Sequence, residues 1–365
     1  MAEDAQRRPA ATRWCAAAAA LVATLAASFL AAEVALRRGA GATEPYLRWT
    51  YRDEGTGGGP RLLILGDSFF TRWAGGDDVE QRLREGLRGT GVRILNPSVP
   101  GYGPYQYLET LIAALARTTP DVVLVSHYVG NDLMDVGCGA DASRRLRRIT
   151  AAAPSLLERS FVVQHVAALA REYFMRHPGF DWSVLTEAGI PEDDVARARR
   201  FELNPYVVAL GATYPRYYRD TLLFESACAA RAWANTQHAL DDIVRRASAA
   251  GARVVPVIFP HTLQVSRLHH DLYRRWRIEV SDDVLDARQA QDRLLDHYRA
   301  RGVEALDLLP AFEAATAQLF WDDDEHLNPA GNALAGAEIA RFLLERGVVA
   351  PRPLVQTTSA HSGSL

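Results

Sequence analysis

At 365 residues, with 48% hydrophobic and 23% charged side chains, the chain has the composition of an ordinary globular protein and enough length for one large domain with an insertion. A formal net charge of -3 gives no general reason to expect a polyanionic partner, and the arginine runs 144–148 and 274–277 read as solvated or paired helical faces, so nucleic acid is excluded. Three cysteines (Cys15, Cys138, Cys228) without CxxC spacing exclude a disulfide framework and a cysteine metal site; Cys138 and Cys228 stay open as one bridge or two buried thiols.

The first element is Cys15 to Ala32, uncharged and of bilayer-spanning length, with Arg7, Arg8 and Arg13 before it and Glu33, Arg37 and Arg38 after it. Most of it is alanine, which leaves a buried helix or a cleaved signal peptide as alternatives. The expectation is an uncleaved transmembrane signal-anchor over 15–36, a cytoplasmic tail over 1–14, and the remainder extracytoplasmic, making a single-pass membrane protein. Residues 37–60, with Gly57-Gly58-Gly59-Pro60, read as a linker.

Order begins at Arg61. Arg61 to Leu65 predicts a strand that ends abruptly in Gly66-Asp67-Ser68, the turn at which a nucleophile would sit; alone, Gly-Asp-Ser is an ordinary turn. A helix over Asp77–Leu87, a strand over Val92–Leu95, a helix over Gln106–Ala116 and a strand over Asp121–His127 follow. This alternation implies a parallel sheet with right-handed crossovers. From about Asp135 to Ala229 it breaks down into helical candidates (142–150, 156–174, 191–201) and the Tyr- and Pro-rich segment 204–218, an insertion that is a lid or structural padding. It resumes with a helix over Ala230–Ala249, a strand over Arg253–Phe259, a helix over Val284–Ala300, a strand over Val303–Leu306 and a helix over Pro329–Leu344. The domain spans 61–350, and 351–365 reads as a disordered tail.

Three loops should emerge together at the carboxyl end of such a sheet. They carry Ser68; the glycine-rich run from Asn96 to Gly103, with Gly101; and Gly130-Asn131-Asp132. An attacking hydroxyl, a glycine amide and an asparagine amide are what acyl transfer needs. The base comes from Trp321-Asp322-Asp323-Asp324-Glu325-His326: His326 precedes a helix capped by Asn328, and Asp323, three residues ahead of it, can orient the imidazole. Asp322 or Asp324 replaces Asp323 if the loop winds differently. Asp67 reads as a turn stabiliser, His127 as a hydrogen-bonded core residue, and His261 as either a cleft or a plain loop residue. His269 and His270 read as surface, and Tyr102 and Tyr105 either stack on a sugar ring or pack.

Taken in order, these four blocks resemble the SGNH, or GDSL-type, hydrolase superfamily over roughly Arg61 to Leu344, the insertion excepted. The resemblance implies an α/β, flavodoxin-like three-layer sandwich with a five-stranded parallel sheet. It implies Ser68 as nucleophile, His326 as base, Asp323 as its partner, and an oxyanion hole from the amides of Ser68 and Gly101 with the side chain of Asn131. The activity it implies is serine-dependent hydrolysis of a small acyl ester, such as an O-acetyl group of a glycan, with no cofactor and no metal. An O-acyltransferase using the same residues and a catalytically silent carbohydrate-binding or assembly protein are the alternatives.

Overall fold

The computed structural model describes residues 8–39, 58–71, 78–135, 137, 162–163, 166 and 181–350, with side chains from 20 to 35 in the first of these stretches. Two compact units divide the chain: residues 1–50 with 153–178, and residues 51–152 with 179–365. The expected disordered tail, most of the linker, and the helical candidates 142–150 and 156–174 (apart from 162–163 and 166) lie outside the described residues.

In the first unit the helix Arg8–Gly39 leaves Leu21, Val22, Leu25, Phe29 and Leu30 exposed. Glu33 is buried and accepts a hydrogen bond from the Val162 amide at 3.0 Å. The helix covers the segment expected to cross a membrane, but the crossing itself is not shown. Among the described residues, no helix is long and apolar enough to span a bilayer. Alanine, weakly apolar, is the commonest residue of the helix, and Glu33 adds a carboxylate to it.

The second unit is built on a parallel sheet of five strands among the described residues: β1 (Arg61–Leu65), β2 (Arg93–Leu95), β3 (Val122–Tyr128), β4 (Arg253–Phe259) and β5 (Leu306–Asp307). Their order, β2-β1-β3-β4-β5, is the flavodoxin-like one. Register is set by apolar pairs such as Leu63 with Val123 and Val123 with Val254. β3 is buried along its whole length, which its continuous apolar run requires when helices cover both faces. Leu62, Ile64, Val122, Leu124, Val255 and Val257 share one core with Val79, Leu83, Ile339 and Leu343 of the helices Val79–Gly86 and Pro329–Glu345. The alternate residues Leu63 and Leu65 point to the other face, where the helices Pro104–Leu115 and Ala227–Ala249 pack together.

Local chemistry explains most boundaries. Asp78 starts its helix by accepting from the Gln81 amide at 2.7 Å, and Pro104 takes the first turn of the next helix. The fifth strand begins later than its apolar pattern suggests, because the Val303 amide is spent on the Tyr298 carbonyl at 3.0 Å, closing the preceding helix Gln289–Arg299. In the insertion, the Tyr- and Pro-rich segment forms two helices, Pro205–Thr213 and Tyr217–Leu223. The first starts on Asn204, whose side chain accepts from the Tyr206 amide at 3.1 Å. Helices Trp182–Glu187 and Glu192–Arg199 precede them. Cys228 is disulfide-bonded, and Cys138 lies outside the described residues.

Candidate active site

β1 delivers Ser68 to the carboxyl edge of the sheet at the point where strand order reverses, with β2 on one side and β3 on the other. Crevices outside such switch points are where open α/β sheets bind ligands. The turn is tight for a steric reason. A Cβ on Gly66 would stand 2.9 Å from Ser98 Oγ and 3.2 Å from both Ser126 Cβ and the Phe70 ring, so a larger residue would push against the loop after β2 and strand β3. The Gly66 carbonyl also accepts from the Val99 amide at 3.3 Å, tying the loop after β2 to the nucleophile turn. Ser68 opens a short 3-10 turn capped by Asp67, whose Oδ1 accepts from the Phe69 amide at 3.1 Å.

His326 arrives on a closed loop. The Trp321 amide donates to the His326 carbonyl at 3.1 Å, the Asn328 amide donates to the Leu319 carbonyl at 3.0 Å, and Asn328 caps the closing helix. This loop sets His326 Nε2 2.9 Å from Ser68 Oγ, across 258 positions of sequence. The other ring nitrogen, Nδ1, lies 2.9 and 3.0 Å from the two carboxylate oxygens of Asp324. A serine hydroxyl, an imidazole and a carboxylate are therefore in line, the carboxylate fixing the tautomer that leaves Nε2 free to take a proton.

The carboxylate is that of Asp324 and not the expected Asp323. The Asp324 amide approaches the Trp321 carbonyl at 3.5 Å, and this turn carries Asp324 to the inside and Asp323 to the outside. Asp323 binds Arg197 Nη2 at 2.9 Å, a pair in which both side chains are about two-fifths exposed. Asp322 is exposed. Gly101 and Asn131 lie where the sheet order puts them, just beyond β2 and β3 and so on either side of Ser68. Gly101 adopts φ 71°, a left-handed conformation suited to glycine, in the turn closed by the Tyr102 amide on the Val99 carbonyl at 3.1 Å. Asn131 is half-buried, and its carbonyl accepts from the Met134 amide at 2.8 Å.

The electrostatics favour a charged imidazole at rest. Burial alone would lower the pKa of His326, but the charge and hydrogen bond of Asp324, then the charges of Glu325 and Asp67, raise it from 6.5 to about 9. Burial pushes Asp324 upward, while the imidazolium and hydrogen bonds from His326, the Glu325 amide and Asn204 hold it below the usual carboxylate value. Next to Ser68, Asp67 is raised to about 8 by burial and by the neighbouring Asp132. Burial also raises Asp132, against hydrogen bonds from the Tyr128 amide at 3.2 Å and the Tyr107 hydroxyl at 3.1 Å.

His127, His261, His269 and His270 are all buried. His127 is buried, sits 2.7 Å from the Tyr298 hydroxyl and is lowered to about 3 by desolvation, as expected of a core residue. His261 is buried, its Nδ1 accepting from the Leu263 amide at 3.1 Å. The expectation that His269 and His270 are surface residues is corrected, because both face inward from the helix Arg267–Arg275. His269 Nε2 meets the Trp321 carbonyl at 2.8 Å and so braces the loop that carries His326, while His270 Nε2 meets the Leu263 carbonyl at 2.7 Å. Tyr105 is buried and packs. Two residues missed in the sequence matter here: Glu325, present in the acidic run, and Tyr218, whose hydroxyl reaches it at 2.9 Å. Among the described residues, no group of three or more His, Cys, Asp or Glu side chains is arranged to hold a metal ion.

Residues 217–363 match the family described as "SGNH hydrolase-like domain, acetyltransferase AlgX". No curated protein matches the chain. Among solved structures, a lipase/acylhydrolase from Enterococcus faecalis is similar at 14% identity and a TM-score of 0.37, covering 80% of this chain and 99% of that one. An acetylxylan esterase from Geobacillus stearothermophilus, solved as two catalytic mutants, is similar at 12% identity, with TM-scores of 0.36 and 0.35 over 79% of this chain and 95% of that one. The Gly-Asp-Ser, glycine-loop, Gly-Asn-Asp and Asp/His blocks are gathered on one edge of a five-stranded parallel sheet, and the match over residues 217–363 supports an SGNH hydrolase-like domain.

Proposed function

We propose that this protein is a serine-dependent esterase that removes a small acyl group, such as O-acetyl, from a glycan through an acyl-enzyme. The observation that carries the reading is the 2.9 Å contact of Ser68 Oγ with His326 Nε2, backed by Asp324 on Nδ1. Neutral His326 takes the Ser68 proton as Oγ attacks the ester carbonyl. The Ser68 and Gly101 amides and the Asn131 side chain receive the oxyanion. Collapse of the tetrahedral species breaks the bond to the alkoxy oxygen, which leaves with the proton returned by His326. Water, deprotonated by the same imidazole, then releases the acyl group as the carboxylic acid.

A second reading has its own support. The matching family is described as an acetyltransferase, and the same acyl-enzyme would pass its acyl group to a sugar hydroxyl in place of water. Fluorophosphonate labelling and turnover of activated acetyl esters by the full-length protein and its Ser68→Ala variant test the serine reading. Turnover or labelling that survives Ser68→Ala refutes it, as does the absence of both in the intact protein. Adding a glycan acceptor separates the readings, since acyl-glycan product marks transfer and free acid marks hydrolysis.

The same proposal places the catalytic domain outside the cytoplasm, attached to the membrane by the N-terminal helix. The disulfide on Cys228 supports an oxidising compartment, and the exposed apolar side chains of the helix support attachment. Protease protection in sealed membranes tests this, and digestion of the domain only from the cytoplasmic side would overturn it.

A further inference from the structure

Glu325 stands between Asp324 and His326 in the chain, and its carboxylate is gripped rather than solvated. Its Oε2 accepts from the Tyr218 hydroxyl at 2.9 Å and the Tyr128 hydroxyl at 3.1 Å, and His261 Nε2 lies 3.4 Å away. All three holders are buried. Because His261 Nδ1 accepts from the Leu263 amide, the ring proton is on Nε2 and faces Glu325. Two hydroxyl donors on one oxygen, with the His261 ring edge beside them, are the surroundings of an ionised carboxylate.

The holders come from three separate places: Tyr128 from the end of β3, His261 from the loop after β4, and Tyr218 from the helix Tyr217–Leu223 of the insertion. The insertion reaches this loop a second time through Arg197 on Asp323. A carboxylate needed only for solubility has no use for buried donors on three elements.

We propose that Glu325 is a positioning residue for His326: clamped from β3, β4 and the insertion, it fixes the loop that holds the imidazole on Ser68 and sets a second negative charge beside it. The inference rests on the reading of His326 as the base of Ser68. The ionisable groups facing this pair are Asp324 on the same loop, Asp67 after β1, Tyr128 and His261 after β3 and β4, Tyr218 from the insertion, and Tyr273 from the helix Arg267–Arg275. Burial pushes the three tyrosines up and His261 down, so all four are neutral at neutral pH and act as hydrogen-bonding or packing groups. Asp324 and then Glu325 and Asp67 are the acidic groups whose charges raise the imidazole.

The test uses full-length protein with isotope-labelled histidine, comparing wild type with Glu325→Gln, Glu325→Asp and Tyr218→Phe. Glutamine keeps an acceptor for the two tyrosines and removes only the charge. The expected result is a fall of about one pH unit in the His326 titration midpoint, the size expected for loss of a nearby opposite charge, and an equal movement of the low-pH limb of kcat/KM. Glu325→Asp should return both toward wild type. Tyr218→Phe keeps the charge and should lower kcat several-fold while leaving KM and the midpoint in place. An unchanged midpoint in Glu325→Gln overturns the inference; should that variant not fold, an unchanged kcat in Tyr218→Phe overturns it. The titration is read without turnover. A wild-type protein lacking Ser68-dependent labelling therefore refutes the proposed function, whereas an unmoved midpoint in an active enzyme refutes only the role of Glu325.

Discussion

Replacing Asp324 by Asn, with Asp323→Asn as its neighbour control, separates two carboxylates one position apart. Asp324 holds both its oxygens within 3.0 Å of His326 Nδ1 and is largely buried. With its neighbours it takes the imidazole from 6.5 to about 9, roughly 3 kcal/mol in favour of the charged ring. That charged ring is what His326 becomes in the transition state. An amide at position 324 supplies no charge and can present an N–H to Nδ1, stabilising the wrong tautomer. Triad Asp→Asn changes of this kind cost on the order of 10⁴ in kcat.

Asp323 is different, because its partner is Arg197 and both side chains are partly exposed. Such pairs are worth roughly 0 to 1 kcal/mol, so Asp323→Asn should lower kcat by less than about fivefold. Steady-state hydrolysis of an activated acetyl ester, measured across pH for both variants, reads the difference. The low-pH limb should move down in Asp324→Asn and stay in Asp323→Asn. A loss in Asp323→Asn as large as that in Asp324→Asn would refute the assignment of the triad acid.

In the wild type, kcat/KM should rise with pH as the imidazole becomes neutral, reaching half its plateau near pH 9, because a charged His326 cannot accept the Ser68 proton. Stability runs the other way: with the folded value above the unfolded 6.5, the contribution of His326 is fully present below 6.5 and is lost as pH rises through about 9. Asp67 has the same sign, its contribution present below 3.8 and lost as pH rises through about 8, so Asp67→Asn should gain thermal stability over wild type as pH is raised through that window. A melting-temperature gap that does not widen with pH would contradict the buried, protonated state of Asp67. Gly66→Ala should lower stability by about 1 to 3 kcal/mol in denaturant melts, the usual cost of overpacking, and reduce kcat by displacing Ser68. Wild-type values for both would show that the loop after β2 and strand β3 yield freely.

The strands and their order of appearance were legible because β1, β3 and β4 are buried on both faces, which forces continuous apolar runs such as Val122-Val123-Leu124-Val125. The fifth strand was misplaced because the apolar Val303 closes a helix, a role that periodicity does not encode. In the insertion, tyrosines and prolines obscured two short helices, although Asn204-Pro205 carried a start signal. His269 and His270 looked like surface because arginines surround them, yet the helix turns the two rings inward onto backbone carbonyls.

For the site, residue type and spacing were enough to single out Ser68 and His326, since a glycine turn after an apolar strand and a histidine before a capped helix are local patterns. They could not say which of three consecutive aspartates meets the imidazole. One residue of difference in how the loop winds reverses inside and outside, and that winding is set by contacts with Trp321, Leu319 and Arg197. Nor could they reveal that Glu325 is held by Tyr128, His261 and Tyr218, because those donors lie 64 to 197 positions away. Local chemistry belongs to the sequence. The pairing of one carboxylate with one imidazole is a matter of a few ångströms, and only the packed sheet, loops and insertion decide it.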